Sequence, residues 1–421
     1  MIVKESPITK RILLITQYFS PEPIGIGKIN GEMMAWLAAN GYECSVITNY
    51  PSYPHWKVQA PYKNRWYKKE VIKHVESGAQ VNIYRCPSYV PSKPTGLKRI
   101  LQDFSFSSSV FWQVLKFNIK RQKFDLIVTV APPFHLAHLG FMLRRLNGGK
   151  ILYHIQDLQI DAAQDLKMLS NEKLFNFIFK IEKRILIKSD YVSGIAPGMI
   201  QKIKAKVDRE VFYFPNWADT SSFYPISARE KLKVKWGYKE DDIVFSYSGA
   251  IGEKQGLETV LLTAGDLLEC KQIKFIICGS GPYKEKLMLI AKEKGLLNID
   301  FLPIQDKEVF NEFLNMADYH LILQKSNASD LVMPSKFATI LAVGGISIVT
   351  TSPGTSLYNL TNDNDLGYIL EPENHHALTK LIDEIKSDDH SDQKRENVRN
   401  YAIQHLNINN VMGEFVNRLL K

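Results

Sequence analysis

Ile243-Val-Phe-Ser-Tyr-Ser-Gly249-Ala-Ile-Gly252-Glu-Lys254-Gln-Gly256-Leu-Glu258 decides the fold. The run 243–248 is short, apolar and rich in β-branched and aromatic residues, which reads as a buried strand. Gly249, Gly252 and Gly256 follow as a turn whose bare backbone can come close to a ligand. Leu257-Glu258 then opens a helix. A strand, a glycine turn with one lysine and a helix start suit a diphosphate, because free N–H groups and an ammonium both attract anionic oxygen. GxxxxGK[ST] is absent, so this is no Walker A loop. The plainer reading of Lys254 is a solvated side chain.

The same alternation extends in both directions. Expected strands lie at 11–16, 43–48, 81–86, 126–130, 151–155 and 191–195, and again at 274–278, 299–302, 319–323 and 346–350. Helical patterns such as 31–40 and 171–188 stand between them. Strands joined by helical crossovers make parallel sheets covered on both faces. Two such sheets fit the 421 residues. The expected architecture is therefore α/β, with two facing doubly wound Rossmann-like domains. Phe214-Pro-Asn-Trp-Ala-Asp-Thr-Ser-Ser-Phe-Tyr-Pro225, rich in turn formers, marks the join. The expected division is 1–213, 214–395, and a last helical segment, 396–421, that packs back on the first domain.

Doubly wound sheets bind ligands at the carboxyl ends of their strands, so those loops are where chemistry is sought. The first is Pro21-Glu-Pro-Ile-Gly25-Ile-Gly27-Lys-Ile-Asn-Gly31. Gly25 and Gly27 suit a phosphate. Asn30 replaces the third glycine of GxGxxG, which removes the dinucleotide fingerprint. Glu22, in the same loop, lies within reach of the crevice. Gly279 and Gly281 close another expected strand, either as phosphate contacts or as a plain turn. Val332-Met-Pro334-Ser335-Lys336 opens an apolar helix, and Ser335 and Lys336 there form either a cap or an anion site. Tyr153-His154-Ile-Gln-Asp157 ends a buried strand of the first half. His154 and Asp157 are candidates to face the crevice, the alternative for His154 being a core residue.

Composition narrows the partners. Residues 1–210 hold 31 Lys+Arg against 16 Asp+Glu, a net +15, while the remainder holds 22 against 28, a net −6. The densest stretch, 57–123, has 14 basic and 3 acidic residues interleaved with aromatics. Phe104 to Phe117 reads as an amphipathic helix for a bilayer interface, or one whose apolar face packs inward. No nucleic-acid module is recognisable, so nucleic acid is not expected as a partner. The cysteines Cys44, Cys86, Cys270 and Cys278 form no CxxC pair. No run reaches the ~20 apolar residues of a membrane span, and 12–15 is too short for a signal peptide. A cytoplasmic protein held peripherally on the inner membrane is expected. Asp363-Asn-Asp365 reads as a solvated turn, and no metal site is expected.

Together these motifs resemble the family 4 glycosyltransferases of GT-B fold, most closely the colanic-acid-type fucosyltransferase-like and L-fucosamine transferase-like subgroup. The resemblance spans nearly the whole chain. It rests on Ser20-Pro-Glu-Pro-Ile-Gly-Ile-Gly-Lys28, Arg85-Cys-Pro-Ser-Tyr-Val-Pro91, His154-Ile-Gln-Asp157, Phe214-Pro-Asn-Trp217, the loop from Ser248 to Glu258, and Leu331-Val-Met-Pro-Ser-Lys336 with Leu341-Ala-Val-Gly-Gly345. It implies a retaining, metal-independent transfer of a sugar, a 6-deoxyhexose or amino sugar, from a nucleotide diphosphate. The donor implied is a UDP-sugar in preference to a GDP-sugar, with no cofactor, and the acceptor is a lipid-linked saccharide of surface polysaccharide assembly. It matches Gly25 and Gly27 to a glycine loop that touches the donor phosphates and Lys254 to a lysine that binds the diphosphate. With these, Gly249, Gly279, Gly281, Ser335 and Lys336 are expected to bind the donor by their places at strand ends and helix starts. His154 and Asp157 are the catalytic candidates, the choice between them open. Two departures stand out. Ala250 occupies a position where many members carry arginine, and the family's pair of glutamates falls here near Leu331 and Thr339. Lys336 and its helix start are then the candidates to replace the arginine. Sugar-nucleotide epimerases share this architecture and remain a rival reading.

Overall fold

The structure is a computed structural model that describes residues 9–23, 25–73, 78–161, 172–326, 334–386 and 391–421. The chain forms two compact units, Met1–Pro215 together with Met412–Lys421, and Asn216–Val411.

The first unit is built on β1 (Arg11–Ile15), β2 (Glu43–Thr48), β3 (Lys68–Lys73), β4 (Gln80–Arg85), β5 (Leu126–Ala131), β6 (Lys150–Ile155), β7 (Tyr191–Gly194) and β8 (Phe212–Tyr213). Their order is β3-β4-β2-β1-β5-β6-β7-β8. Every pairing is parallel except β3 with β4. The continuous apolar runs follow from burial on both faces, and all six residues of β5 are buried. The chain winds outward from β1 in one direction, then returns to β5 and winds the other way. The switch point, where such sheets bind ligands, therefore lies at the carboxyl ends of β1 and β5.

The second unit holds β9 (Ile243–Ala250), β10 (Ile273–Ser280), β11 (Ile299–Leu302), β12 (Tyr319–Ile322), β13 (Ile346–Thr350) and β14 (Gly367–Leu370), ordered β11-β10-β9-β12-β13-β14 and parallel throughout. Its switch point lies between β9 and β12. One face packs Leu257, Val260, Leu261, Leu378 and Ile382, and the other packs Phe313, Phe337, Leu341 and Val398.

Two helices of the first unit matter most. In α1 (Gly25–Ala39), Ile29, Met33 and Leu37 recur every four residues and are buried. Gly41, at φ 88°, terminates the chain's helical course just beyond it. In α2 (Gly96–Ile119), Phe106, Val110, Val114 and Phe117 enter the core. The opposite side of α2 is also apolar, yet exposed. Leu97 is 82% exposed, Phe104 60% and Ile119 74%, with Leu101, Phe111 and Trp112 also exposed.

Four details depart from the sequence reading. β3, β8 and β14 had not been expected. β3 reads Lys-Lys-Glu-Val-Ile-Lys, an edge strand whose charges hide its alternation. The helix expected at 31–40 begins at Gly25, so the glycine loop forms its first turn. The last segment is not a single returning helix. It breaks after Leu406, where the Asn407 side chain accepts the Asn409 N–H and starts a new helix. Val398, Ala402 and Leu406 belong to the core of the second unit, and only Met412–Lys421 group with the first. Finally, the second unit starts at Asn216, two residues beyond the expected boundary.

Candidate active site

In the second unit the candidate residues converge on the end of β9. The Tyr247 hydroxyl donates to the Ala250 carbonyl at 2.7 Å, which fixes the ring beneath the glycine turn. Lys336, in the first turn of the helix Ser335–Ala342, lays its Nζ 3.6 Å from the centre of that ring. A β-carbon on Gly249 would stand 3.7 Å from the same Nζ. The Lys336 Nζ is buried and has no hydrogen-bond partner among the described residues. Burial pulls its pKa down to about 7. The ring face supplies some cation–π attraction. A buried ammonium without a carboxylate is nonetheless costly, and an incoming anion would offset that cost.

The other candidates of this unit divide. Lys254 lies in the loop after β9 with an exposed side chain, while its carbonyl accepts from the Lys325 N–H at 3.0 Å. Gly279 and Gly281 have a structural reason to be glycine. β-Carbons there would stand 1.9 Å from the Gly249 carbonyl oxygen and 2.0 Å from that of Ile251. Close strand approach accounts for both, whatever else their N–H groups bind. Ser335 is the first residue of its helix, so its N–H is among those free of an intrahelical partner. Asp330 and Leu331 to Met333 lie outside the described residues, as does Ile24 in the first loop.

In the first unit Glu22 lies in the loop after β1 and is bonded to residues that follow β2. It is 2% exposed. Its Oε1 accepts from the Ser52 and Tyr53 N–H groups, both at 3.0 Å. Its Oε2 is buried with no hydrogen-bond partner among the described residues. Gly27 must be glycine because its β-carbon would fall 2.5 Å from that oxygen. Desolvation raises the Glu22 pKa to about 7, against the pull of the two N–H groups and Arg85. Gly25, at φ 65°, begins α1 in a left-handed conformation that favours glycine.

His154 is a core residue of the first unit. It is 2% exposed. Its Nδ1 lies 2.9 Å from Ser193 Oγ, and its Nε2 accepts from the Gln156 amide at 2.8 Å. Burial lowers its pKa to about 3, so it stays neutral. Both ring nitrogens are engaged, which gives His154 a place in the core and no free position for catalysis. Asp157, two residues beyond β6, is half-buried at the strand end.

The sequence reading missed Asp103, on α2. Burial raises its pKa to about 6, opposed by the amides of Gln17 and Gln159 and by Arg99. Asp103 is also among the groups that raise the pKa of Tyr18, after burial itself. Its only sequence signal was its place four residues after Arg99, on the same side of a helix. Among the described residues, one cluster able to offer three metal ligands is Asp266, His375 and His376. It lies at the far end of the helix Glu258–Asp266 from the glycine turn, and the Thr379 hydroxyl already donates to Asp266. Asp365 pairs with Lys394 at 2.6 Å in an exposed turn.

This geometry has known counterparts. Residues 228–405 match the model of the glycosyl transferases group 1. The protein named colanic acid biosynthesis glycosyl transferase WcaI, from Escherichia coli (strain K12), is 36% identical over 416 residues, 97% of this chain and 99% of that protein. Among solved structures, sucrose-phosphate synthase from Thermosynechococcus elongatus superposes with a TM-score of 0.75 at 16% identity, covering 98% of this chain and 99% of that one. Anabaena HepE in complex with UDP and glucose gives a TM-score of 0.69 at 12% identity, with 98% and 99% covered. The fold is GT-B. A full-length relationship of this strength, together with the matched model over the second unit, shows that the chain belongs to the group 1 glycosyltransferases.

Proposed function

We propose that this glycosyltransferase moves a sugar, with retention at the anomeric carbon, from a UDP-sugar to a lipid-linked saccharide in surface polysaccharide assembly. The observation that carries the reading is the Lys336 ammonium, buried without an acceptor beside Gly249. A diphosphate supplies the missing counter-charge. The name of the WcaI relative supports polysaccharide assembly, and the UDP in HepE supports a uridine donor over a guanosine one. The resemblance noted from the motifs favours a 6-deoxyhexose or an amino sugar.

In this reading the bond from the anomeric carbon to the diphosphate breaks and its electron pair leaves with the diphosphate. Lys336, Lys254, the N–H groups opening the helix at Ser335 and the backbone at Gly249 stabilise that charge. Gly25 and Gly27, at the start of α1, offer further free N–H groups to phosphate oxygen. An acceptor hydroxyl then bonds to the anomeric carbon on the face the diphosphate leaves, and its proton passes to the departing diphosphate oxygen. Asp157 orients the sugar or the acceptor, and His154 holds the strand end from which Asp157 projects. Lysines and helix starts carry the charge without a metal. The exposed apolar side of α2, with the basic residues of 57–123, favours a peripheral site of action on the inner face of the cytoplasmic membrane. Among the described residues no helix is long and apolar enough to cross a membrane.

A thermal-shift screen of UDP, GDP and their sugar conjugates tests the donor class. A ligand at 100 times its Kd stabilises by about 2.7 kcal/mol. UDP compounds are expected to raise Tm most. A larger rise with GDP compounds, or none with either, overturns the assignment.

A further inference from the structure

We propose that Glu22 is a positioning residue that must carry a proton for substrate phosphate to sit at the start of α1. The inference rests on the reading that Gly25 and Gly27 meet the phosphates of a nucleotide donor.

The geometry gives the two carboxyl oxygens different tasks. Oε1 is fully used, accepting from the Ser52 and Tyr53 N–H groups, and so ties the residues after β2 to the loop after β1. Oε2 takes no hydrogen bond from any described residue and fills the space that a Gly27 side chain would need. It therefore lies against the first turn of α1 at Gly27, beside the helix end whose free N–H groups attract an anion. An ionised carboxylate there competes with phosphate for the same positive field and repels it. A neutral carboxyl does neither, and its Oε2–H becomes a donor for a phosphate oxygen.

The surroundings make both states accessible. Arg85, from β4, favours the ionised form, as do the two N–H groups. Burial opposes them and wins, leaving the group to titrate at about 7. The other titratable groups facing it are Tyr18, after β1, and Tyr53. Burial raises the pKa of both, so they stay neutral near pH 7 and add no charge. At pH 8 about one molecule in eleven holds the proton, so apparent affinity falls about tenfold through Glu22 alone.

The test is calorimetry of UDP binding at pH 6 and pH 8, in two buffers of different ionisation enthalpy. The parent, Glu22→Gln, Lys336→Met and the double variant are compared. Glutamine keeps the carbonyl acceptor and places a permanent N–H donor at Oε2, so it imitates the protonated state. The titration of UDP itself is common to all four proteins. Glu22→Gln is expected to match the parent within about twofold at pH 6, to bind about tenfold tighter at pH 8, and to take up about one proton fewer there. Lys336→Met, which removes the other buried group that titrates near 7, should keep the Glu22 dependence, and the double variant should lose it. Equal affinities of parent and Glu22→Gln at pH 8 overturn the proposal while leaving the nucleotide reading intact. So does a Lys336→Met protein that takes up no proton on binding UDP at pH 8, where UDP itself is fully ionised, which decides the matter even if Glu22→Gln does not fold. Failure of the parent to bind UDP at pH 6 overturns both.

Discussion

A lysine buried without a counter-ion is kept at a cost to stability, and Lys336 has a testable signature of that cost. Its folded-state pKa of about 7 lies below the ordinary 10.5, so the unfolded chain binds one more proton across that window. Parent stability should therefore rise with pH from about 7 towards 10.5 through this group, and be lost as pH falls through 7. Lys336→Met keeps the length of the side chain and removes the charge. It should melt higher than the parent at pH 6 and lose this part of the pH slope. The same variant should bind UDP about 10- to 150-fold more weakly, the loss of one charge-assisted contact of roughly 1.5–3 kcal/mol. Lys254→Ala should cost less, because that side chain is exposed and screened by solvent. A Lys336→Met protein with parental affinity for UDP would remove Lys336 from the donor site. The two other residues that changed role do so for the same reason, burial. His154 has both nitrogens engaged inside the sheet. Glu22 gained importance because one oxygen is left over. Neither fact is visible in a sequence, where only the residue type and its distance from a strand end can be read.

At the scale of elements, α2 shows most plainly what periodicity leaves open. Its apolar residues occupy two sides, and the pattern alone does not say which side meets the core. The structure buries Phe106, Val110, Val114 and Phe117 and leaves Leu97, Leu101 and Phe104 in solvent. The core alternative for 104–117 holds for one side, and the other side is exposed. Replacing Leu97, Leu101 and Phe104 together with Gln should leave Tm unchanged within a degree or two, since exposed substitutions rarely exceed ~0.5 kcal/mol. The same variant should lose sedimentation with anionic vesicles at low salt. Phe106→Ala should instead cost about 3–5 kcal/mol. Gln in place of Lys63, Arg65, Lys68 and Lys69 should weaken vesicle binding by about 1 kcal/mol per residue near the surface. If the apolar triple variant pellets as the parent does, α2 does not dock on lipid. The strands that escaped the sequence reading did so for separate reasons: β3 is charged, β8 is two residues long, and β14 is four partly exposed residues after a polar turn. The buried central strands were legible because burial on both faces demands unbroken apolar runs.

On the scale of the whole chain, the alternation of strand and helix was enough to give two doubly wound sheets, and each winds outward from a switch point as that topology requires. The break after Leu406 was not legible, because a polar helix followed by an apolar one reads as one long helix until Asn407 is seen to cap the second. The charge division remains an observation about surfaces: a first half at +15 suits anionic lipid, and a second half at −6 does not. One reaction tests the proposed transfer most directly. The protein is incubated with a panel of UDP- and GDP-sugars and a lipid-linked saccharide acceptor in excess EDTA, while free nucleoside diphosphate and label in the lipid fraction are followed. UDP is expected to be released in step with sugar entering the lipid fraction, at a rate unchanged by added Mg²⁺. Nucleotide sugar recovered with altered stereochemistry and no label in lipid, or transfer that appears only when Mg²⁺ is restored, would contradict it.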